Sequence, residues 1–336
     1  MGLGYTPMVR VRGAHAELIN TRLLTWELID AAGRQSDQLT LRVDTQGIDG
    51  LPKEGETIGL EVGYAEEESL TDKGDFKITR VTPRIYPDSV TIVATAAPFQ
   101  VKDETEFKKR RSRSFEKITL GDLFRQVITT HGYSSRVAPD LDAIMLEHVD
   151  QSDETDMSFL TRLAKRYDAV TKPVDQLYVL ARRGQVKSLS GQSLTPVRYS
   201  LPTKNVPTAA SFINAEADFP SRTTFKGVVT TYWDPAQGKE LEVKVGEAPF
   251  KKLRNQHDSQ EQANEAANGE MRKLARTGVK IRMDVPGDPR LVAEGLLELD
   301  DSFPDYMRGR WSLDRVISRG NRGQGYRCSL EATEPL

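Results

Sequence analysis

The stretch DQSDETDMSFLTRLAKRYDAV, residues 150–170, sets four acidic residues ahead of a run of regularly spaced apolar residues. The acids are Asp150, Asp153, Glu154 and Asp156, and they belong either to a metal or acid/base site or to the start of a helix. A hard cation needs several converging oxygens, which EF-hand loops supply at alternating positions around a glycine. This stretch has neither the alternation nor the glycine. The sequence therefore favours the start of a helix.

The residues that follow predict an amphipathic helix over about 156–168. Thr155 suits the N-cap, where a hydroxyl oxygen accepts a backbone hydrogen bond. Asp156 places a negative charge near the partial positive charge of the helix start. One face of this helix carries the apolar residues Met157, Leu160, Leu163, Ala164 and Tyr167. We interpret Thr155 and Asp156 as structural caps.

The chain around this helix predicts a small α/β domain over residues 101–204. Thr119 and Asp122 form a pair similar to a capping box, ahead of a second helix that ends near Gly132. The stretch DQLYVLARRG, residues 175–184, has the composition of a strand that ends in a turn. Helix, helix and strand in this order indicate a mixed domain.

Both flanks of this domain show the alternation of half-buried strands. Residues 1–100 include QLTLRVD and ETIGLEVGY, with glycines and prolines between the strands. Residues 205–336 include a predicted hairpin over 221–246, a helix over 259–277 capped by Ser259, and a closing strand pair around Trp311 and Cys328. The predicted fold class is α+β, with two antiparallel β domains of barrel or sandwich type flanking the mixed domain.

Composition narrows the class of protein. A chain of 336 residues with 38% hydrophobic and 29% charged residues fits two or three globular domains. Lys and Arg total 47 against 49 Asp and Glu, so the net charge of −2 gives no general attraction to nucleic acid or anionic membranes. The single cysteine fits a reducing compartment, and no apolar run has the length of a signal peptide or membrane span. We expect synthesis in the cytoplasm.

One basic run stands out from this balanced charge: Lys108, Lys109, Arg110, Arg111 and Arg113. A patch that contacts phosphates is one interpretation. Only two phenylalanines flank the run, and no aromatic residue is interleaved with it for base stacking. We favour an interface that meets acidic residues of a partner protein, with a solvated surface as the alternative.

Motifs of catalytic chemistry are not found in the sequence. The four histidines have no metal-ligand spacing, and Cys328 has no CxxC partner. SLSGQS does not match a nucleophile elbow, and GNRGQG lies between two predicted strands, where a turn is favoured over a nucleotide-binding loop. We predict no catalytic, metal or cofactor-binding residue, and no enzyme activity.

Three stretches together resemble a known family: KKRRSRSFEKITLGDLFRQVITTHGY (108–133), VDQSDETDMSFLTRLAKRYDAV (149–170) and GDPRLVAEGLLELD…MRGRWSLDRVIS (287–318). Their order is similar to that of the late control protein D family. These are the baseplate hub proteins of contractile phage tails and of R-type tail-like bacteriocins. They are related to other phage hub proteins and to the N-terminal part of type VI secretion spike proteins. The helix of the second stretch is the most specific part of the match.

The resemblance implies a structural role. Such hubs form a homotrimeric ring in which two tube-like β domains per chain adapt the sixfold tail tube to the threefold central spike. Here it implies a first tube-like domain at 1–100, a middle domain at 101–204 and a second tube-like domain at 205–336. Expected partners are the spike and tube proteins, with tape-measure and other baseplate proteins as further candidates, while membrane and nucleic acid are not expected. The expected location is the baseplate of a phage tail or bacteriocin particle.

Two alternatives stay open from the sequence. A cell-wall-degrading baseplate enzyme would use a pair of Asp or Glu carboxylates. A nucleic-acid-binding regulator would act through residues 108–113.

Overall fold

The structure is a computed structural model that describes residues 6–32, 37–96, 109–174, 177–182, 195–219, 225–276, 278–321 and 325–334. Its first elements are β1 (Pro7–Gly13), α1 (Ala16–Arg22), β2 (Leu23–Ala31), β3 (Gln38–Asp44), β4 (Thr57–Tyr64), β5 (Thr71–Ile85), β6 (Asp88–Thr95), β7 (Arg110–Thr119), α2 (Leu120–Thr129), β8 (Ser134–Val137), α3 (Pro139–Asp142), β9 (Met145–Thr155), α4 (Asp156–Arg166), β10 (Ala169–Val174) and β11 (Leu177–Arg182). The others are β12 (Val197–Tyr199), β13 (Asn214–Asp218), β14 (Gly227–Asp234), β15 (Lys239–Gly246), β16 (Phe250–His257), α5 (Gln260–Arg276), β17 (Lys280–Pro286), β18 (Leu296–Leu299), β19 (Gly309–Asn321) and β20 (Gly325–Thr333). The described chain is thus mostly β, with a small helical content.

Contacts divide the chain into two compact units, each made of separate segments. Unit 1 takes its described residues from Met1–Val101, Thr195–Ala217 and Ile281–Ala332. Unit 2 takes its described residues from Lys102–Leu194, Asp218–Lys280 and Thr333–Leu336. This grouping differs from the consecutive domains 1–100, 101–204 and 205–336 of the sequence analysis, because distant segments pair in one sheet. Those three limits stay a prediction.

Unit 1 is built on a 12-stranded sheet. The strands follow the path β1-β4-β5-β6-β3-β2-β19-β20-β17-β13, and β12 pairs with β18, which pairs with β19. Strands β2 and β19 join the early and late parts of the chain, with pairs from Thr25 opposite Asn321 to Ala31 opposite Arg315. Among the described strands of this sheet, β1, β12 and β13 each have one neighbour. The described sheet is therefore open, and the closed barrels are not seen in it.

The strands of this sheet fall into two sets that repeat one order. In the first set, β1 to β6, the first strand is followed in space by the fourth, fifth, sixth, third and second. In the second set, β12, β13 and β17 to β20, the order β12-β18-β19-β20-β17-β13 is the same. The sets differ in their first pair, which is antiparallel for β1 and β4 but parallel for β12 and β18. We call them the first and second six-strand sets.

Alternating side chains explain why these segments form strands. QLTLRVD forms β3 as predicted, and Leu39, Leu41 and Val43 are buried while the residues between them are partly exposed. Burying every second side chain matches the period of a strand with one face on a core. Cys328 lies in β20 and is fully buried as a free thiol.

Unit 2 combines three small sheets with helices. The sheets are β10-β11-β8, β15-β14-β16 and β7-β9. The predicted helices are found as α2, α4 and α5, and the predicted hairpin as β14 and β15. Residues 175–176, 183–184, 221–224 and 277 of the predicted elements lie outside the described residues. None of the helices within the described ranges is long and apolar enough to cross a membrane.

Candidate functional site

The basic and acidic residues of the sequence meet on two paired strands of unit 2. Strand β7 carries the arginines, and β9 carries the acids and runs antiparallel to it. In the register of this pair, Arg111 lies opposite Glu154 and Arg113 lies opposite Gln151. Neither strand was predicted from the sequence. The basic run and the acidic stretch therefore form one structural feature.

Asp156 is the first residue of α4, and its side chain is fully buried. The carboxylate contacts the guanidinium group of Arg113, and its oxygens lie 2.8 Å from Nε2 of His131 and 2.8 Å from Nε2 of Gln151. Nε of Arg111 lies 3.3 Å from Oδ2. A buried carboxylate is stable only when such partners replace its hydration. Asp156, which the sequence places near the partial positive charge of the helix start, is thus also the centre of a buried polar cluster.

Gln151 orders this Asp156 cluster, which we define as Arg111, Arg113, His131, Gln151 and Asp156. Its Oε1 accepts hydrogen bonds from Nε and a terminal nitrogen of Arg113, at 2.9 and 2.7 Å. Its Nε2 donates to Asp156 and also to the backbone oxygen of Glu154, at 2.8 Å each. The cluster ties β7 and β9 to the start of α4 and to the residues after α2. Its arrangement serves to hold elements in place.

Aromatic rings cover one side of the cluster. The guanidinium carbon of Arg113 lies 5.5 Å from the ring centre of Phe115, and that ring stacks on Phe159 with 5.7 Å between centres. Cation–π contacts of this kind stabilise a cation most when water is excluded. Phe115 and Phe159 are both buried. The rings therefore strengthen the electrostatic contacts next to them.

The acids near Asp156 do not converge on one point. Asp150 accepts a hydrogen bond from Oγ of Ser114 at 2.6 Å, and this bond, with one from His148, lowers the pKa of its carboxyl. Glu154 accepts one from Nε of Arg162 at 3.1 Å. Within the described ranges, no group of three or more His, Cys, Asp or Glu side chains could hold a metal ion.

The structure gives most of the predicted interface cations a partner in the same chain. Arg110 donates to the backbone oxygen and to Oδ2 of Asp153, at 3.0 and 2.9 Å. Arg111 and Arg113 belong to the Asp156 cluster. Lys109 is exposed, and Lys108 lies outside the described residues. The positive field available to a phosphate or to an acidic partner is therefore smaller than the sequence indicates.

Hydroxyl groups begin the helices at the predicted positions. Oγ1 of Thr119 accepts a hydrogen bond from the backbone nitrogen of Asp122 at 3.1 Å. The hydroxyl oxygens of Thr155 and Ser259 accept equivalent bonds from the backbone nitrogens of residues 158 and 262, at 3.2 Å each. These contacts satisfy backbone donors that the first helical turn leaves free.

A second buried polar contact links α4 to the end of β16. A terminal nitrogen of Arg166 donates to Nδ1 of His257 at 2.6 Å, and His257 is only 2% exposed. Burial, together with the charge of Arg166, lowers the pKa of His257 to about 4. The imidazole is therefore neutral near pH 7, which suits an acceptor of a bond from arginine.

The turn between β5 and β6 presents two large apolar side chains to solvent. Ile85 is 89% exposed and Tyr86 is 90% exposed. Neither residue stands out in the sequence, because an alternating pattern does not show where a strand extends beyond its neighbours. Exposed apolar residues of this size are typical of contact surfaces.

Comparison with known proteins identifies relatives of the chain. Residues 104–324 match the family model for the phage tail baseplate hub (GPD). The probable baseplate hub protein of Escherichia phage P2 is 33% identical over 180 residues, which cover 53% of this chain and 45% of that protein. The probable baseplate hub protein of Escherichia phage 186 is 32% identical over 185 residues, which cover 55% of this chain and 46% of that protein. The chain spans about half the length of these curated relatives. The resemblance predicted from three stretches is confirmed.

Solved structures share the fold at low sequence identity. The 43 kDa tail protein of prophage MuSo2 from Shewanella oneidensis has a TM-score of 0.66 and 13% identity, covering 97% of this chain and 98% of its own. The tail protein from Neisseria meningitidis MC58 has a TM-score of 0.68 and 12% identity, covering 98% and 97%. The E. coli c3393 protein, a component of the type VI secretion system, has a TM-score of 0.58 and 9% identity, covering 98% and 77%. These likenesses show the fold alone.

Proposed function

The chain belongs to the phage tail baseplate hub (GPD) family, and on that premise we propose that it is the structural hub of a contractile tail or tail-like bacteriocin. Three copies form a ring around the tail axis. One side of the ring contacts the hexameric tail tube, and the other contacts the trimeric central spike. Tape-measure and other baseplate proteins are further partners. The protein is made in the bacterial cytoplasm and is assembled into the baseplate.

The repeated strand order carries this proposal. Each chain contains two six-strand sets with the same spatial order. Three chains around a threefold axis therefore supply six similar sets, which is the arrangement needed to adapt a sixfold tube to a threefold spike. In this proposal each set is one tube-like β domain. The parallel first pair of the second set makes the match between sets approximate, as expected for a pseudo-sixfold ring.

The proposed role is structural and not enzymatic. In the acidic stretch, the carboxylates of Asp150, Glu154 and Asp156 are engaged by arginine, histidine or serine side chains of the same chain, Asp156 most completely. An acid/base pair needs a cleft where both carboxylates reach the substrate. Asp156 is fully buried and cannot reach one. The contacts of these acids support a framework function.

Mass measurement tests the proposal. The full chain is analysed by light scattering and native mass spectrometry, alone and with its spike protein. We expect a trimer, and with the spike a complex of three hub chains and three spike chains. A chain that stays monomeric in both samples would contradict the proposal. Zymography on cell-wall substrate should give no cleared band, whereas a band lost on replacing one carboxylate would favour the enzymatic alternative.

A further inference from the structure

One half of strand β5 has an uncovered edge. Up to Ile78 this edge is covered, since the nitrogen of Ile78 donates to the oxygen of Glu56 at 2.9 Å and its oxygen accepts from the nitrogen of Gly55 at 2.8 Å. Residues 80–85 of β5 pair with β6 on the other side. In the described sheet, no strand lies beside residues 80–85 on the uncovered side. An unpaired strand edge is a template for adding another strand.

Strand β19 holds the equivalent place in the second six-strand set, and there the same edge is covered. Leu313 matches Ile78, because its nitrogen donates to the oxygen of Gly295 at 2.9 Å and its oxygen accepts from the nitrogen of Glu294 at 2.8 Å. Beyond Leu313, residues 315–321 pair with β2. The sequences agree as well, with RVTPR at 80–84 and RVISR at 315–319. Strand β5 thus lacks the partner that β2 gives to β19.

The strand equivalent to β2 is available in the second set. Strand β2 is the second strand of its set and pairs with β3 on one edge and with β19 on the other. Its equivalent is β13, which pairs with β17 on one edge. On its other edge, β13 has no strand neighbour within the described sheet. Within the described residues, comparison of the two sets therefore leaves β13 as a strand without the second partner of its equivalent, and residues 80–85 of β5 as an edge without the partner of its equivalent.

We infer that β13 of one copy pairs with residues 80–85 of β5 in the next copy of this chain. The inference rests on the proposed trimeric ring and names the strands that hold it together. Because β13 and this edge of β5 are different surfaces of the same chain, each contact is head-to-tail. In the proposed trimer this series of contacts closes into a ring after three copies. The contact between copies then repeats the contact between β2 and β19 within a chain.

Charge supports this pairing of β13 with β5. Strand β13 exposes the acids Glu216 and Asp218, and the uncovered half of β5 exposes Arg80 and Arg84. Opposite charges across neighbouring strands favour pairing, whereas like charges oppose it. Glu216 keeps a 70% exposed side chain, 3.8 Å from Arg282. The two strands are therefore complementary in sign.

The pair within the chain shows the same match of charges. In the register of β2 and β19, Glu27 lies opposite Arg319. Arg319 belongs to RVISR and corresponds to Arg84 of RVTPR. By this correspondence, Arg84 of one copy pairs with an acidic residue of β13 in the neighbouring copy.

Alternate backbone groups of β5 point to this uncovered edge. The oxygen of Asp88 in β6 accepts a hydrogen bond from the nitrogen of Thr45, the residue after β3, at 3.3 Å, so the backbone groups of Asp88 point away from β5. The backbone groups of the next residue, Ser89, therefore point towards β5, where Arg84 lies opposite Ser89. Because bonding sides alternate, Pro83 and Ile85 direct their backbone groups to the uncovered edge. Proline lacks an N–H donor and is tolerated at this edge, where β6 needs none.

Engineered cysteines test the inference in the full chain. Glu216→Cys is combined in turn with Arg80→Cys, Thr82→Cys and Arg84→Cys, three positions on one face of β5, so that a shifted register is also detected. Paired strands bring such residues within disulfide range. Oxidation should give, for at least one combination, covalent species up to a closed trimer and none larger. The native Cys328 is fully buried and is not expected to interfere.

Two further samples make the result decisive. Mixing a chain that has only the β13 cysteine with a chain that has only the β5 cysteine should give a covalent dimer, and neither alone should. Glu27→Cys with Arg319→Cys, opposite each other within the chain, should form an internal disulfide that crosslinks no two copies. If native mass spectrometry shows a trimer but no combination crosslinks, the inference is wrong and the proposed function stands. If no trimer forms, both fail.

Discussion

At the scale of single residues, Asp156 decides how unit 2 is held together. Its carboxylate is the counterion of Arg113 and lies 3.3 Å from Arg111, with no exposed surface. Removing one partner of a buried ion pair leaves the other charge uncompensated in a medium that solvates it poorly. Asp156→Ala should therefore lower the free energy of unfolding by about 3–5 kcal/mol, compared with about 0.3–1 kcal/mol for a lost charge at a helix end. Urea denaturation followed by circular dichroism measures the difference.

Asp153→Asn is the control for this change, because residue 153 has a φ of 47°, a backbone conformation that asparagine tolerates better than alanine. It also removes a carboxylate bonded to an arginine, but both side chains of that pair are largely exposed. Exposed ion pairs contribute little, because water and salt screen them. We expect a stability close to that of the unmodified chain. Equal losses for the two variants would show that burial of Asp156 has no energetic consequence.

His257 gives the stability of the protein a dependence on pH. Its pKa is about 4 in the folded chain, because of burial and the nearby Arg166, and about 6.5 in an unfolded chain. Between these values the unfolded chain binds a proton that the folded chain does not. The free energy of unfolding should therefore fall as the pH is lowered from 6.5 towards 4, by about 1.4 kcal/mol per pH unit.

His257→Gln removes the titrating group and keeps a side chain that can accept a bond from Arg166. Urea denaturation of both proteins at several pH values isolates the contribution of this residue as the difference between two slopes. For the variant, the free energy of unfolding should change less steeply with pH between pH 4 and 6.5. Parallel slopes would mean that His257 is protonated equally in the folded and unfolded chains.

At the scale of elements, the sequence predicts best where one periodicity is strong. Strand β3 was predicted because its apolar residues alternate, and α4 because its apolar residues recur at helical spacing. Strand β9 was missed because one of its buried positions is Gln151, and the acids on its exposed face were assigned to the helix start. A buried glutamine gives no apolar signal. Its partners on β7 and α4 are known only once the chain has folded.

The pairing of β2 with β19 depends on a glycine. Gly320 lies opposite Trp26, and a Cβ added there would lie 2.4 Å from Nε1 of the indole ring. The ring is buried and cannot move aside without disturbing its neighbours. Gly320→Ala should lower the free energy of unfolding by about 1–3 kcal/mol, the usual range for overpacking a core. Thermal or urea denaturation measures it.

Gly59→Ala is the control for this prediction. Gly59 also lies in a strand, but an added Cβ would meet only the ends of the Asp75 and Arg12 side chains, which can shift. Its effect should be smaller than that of Gly320→Ala. If both variants are equally stable, the packing of the Trp26 ring does not require a glycine at position 320.

At the scale of the whole molecule, the sequence did not predict which distant segments pair. Strand β2 pairs with β19 although almost the whole chain separates them, and no local pattern predicts such a contact. A signal did exist, since RVTPR and RVISR repeat at equivalent places in the two sets. Five residues are too short to identify as a repeat without the structure. The alternation on both flanks of the middle domain already indicated two β domains, and the strand order shows that the two sets are similar.

Charge reversal tests assembly at this same scale. Arg84→Glu alone and Glu216→Arg alone each set like charges against each other at every contact between copies. A cross-strand pair is worth about 0.2–1 kcal/mol, and like charges reverse its sign. Each single variant should therefore trimerise only at a concentration several-fold higher than the unmodified chain, as light scattering over a dilution series would show. The double variant restores opposite charges and should recover most of the loss, because a heterologous contact brings the two positions together in every copy. Additive losses in the double variant would show that the two residues act apart, in which case the ring is held by other surfaces.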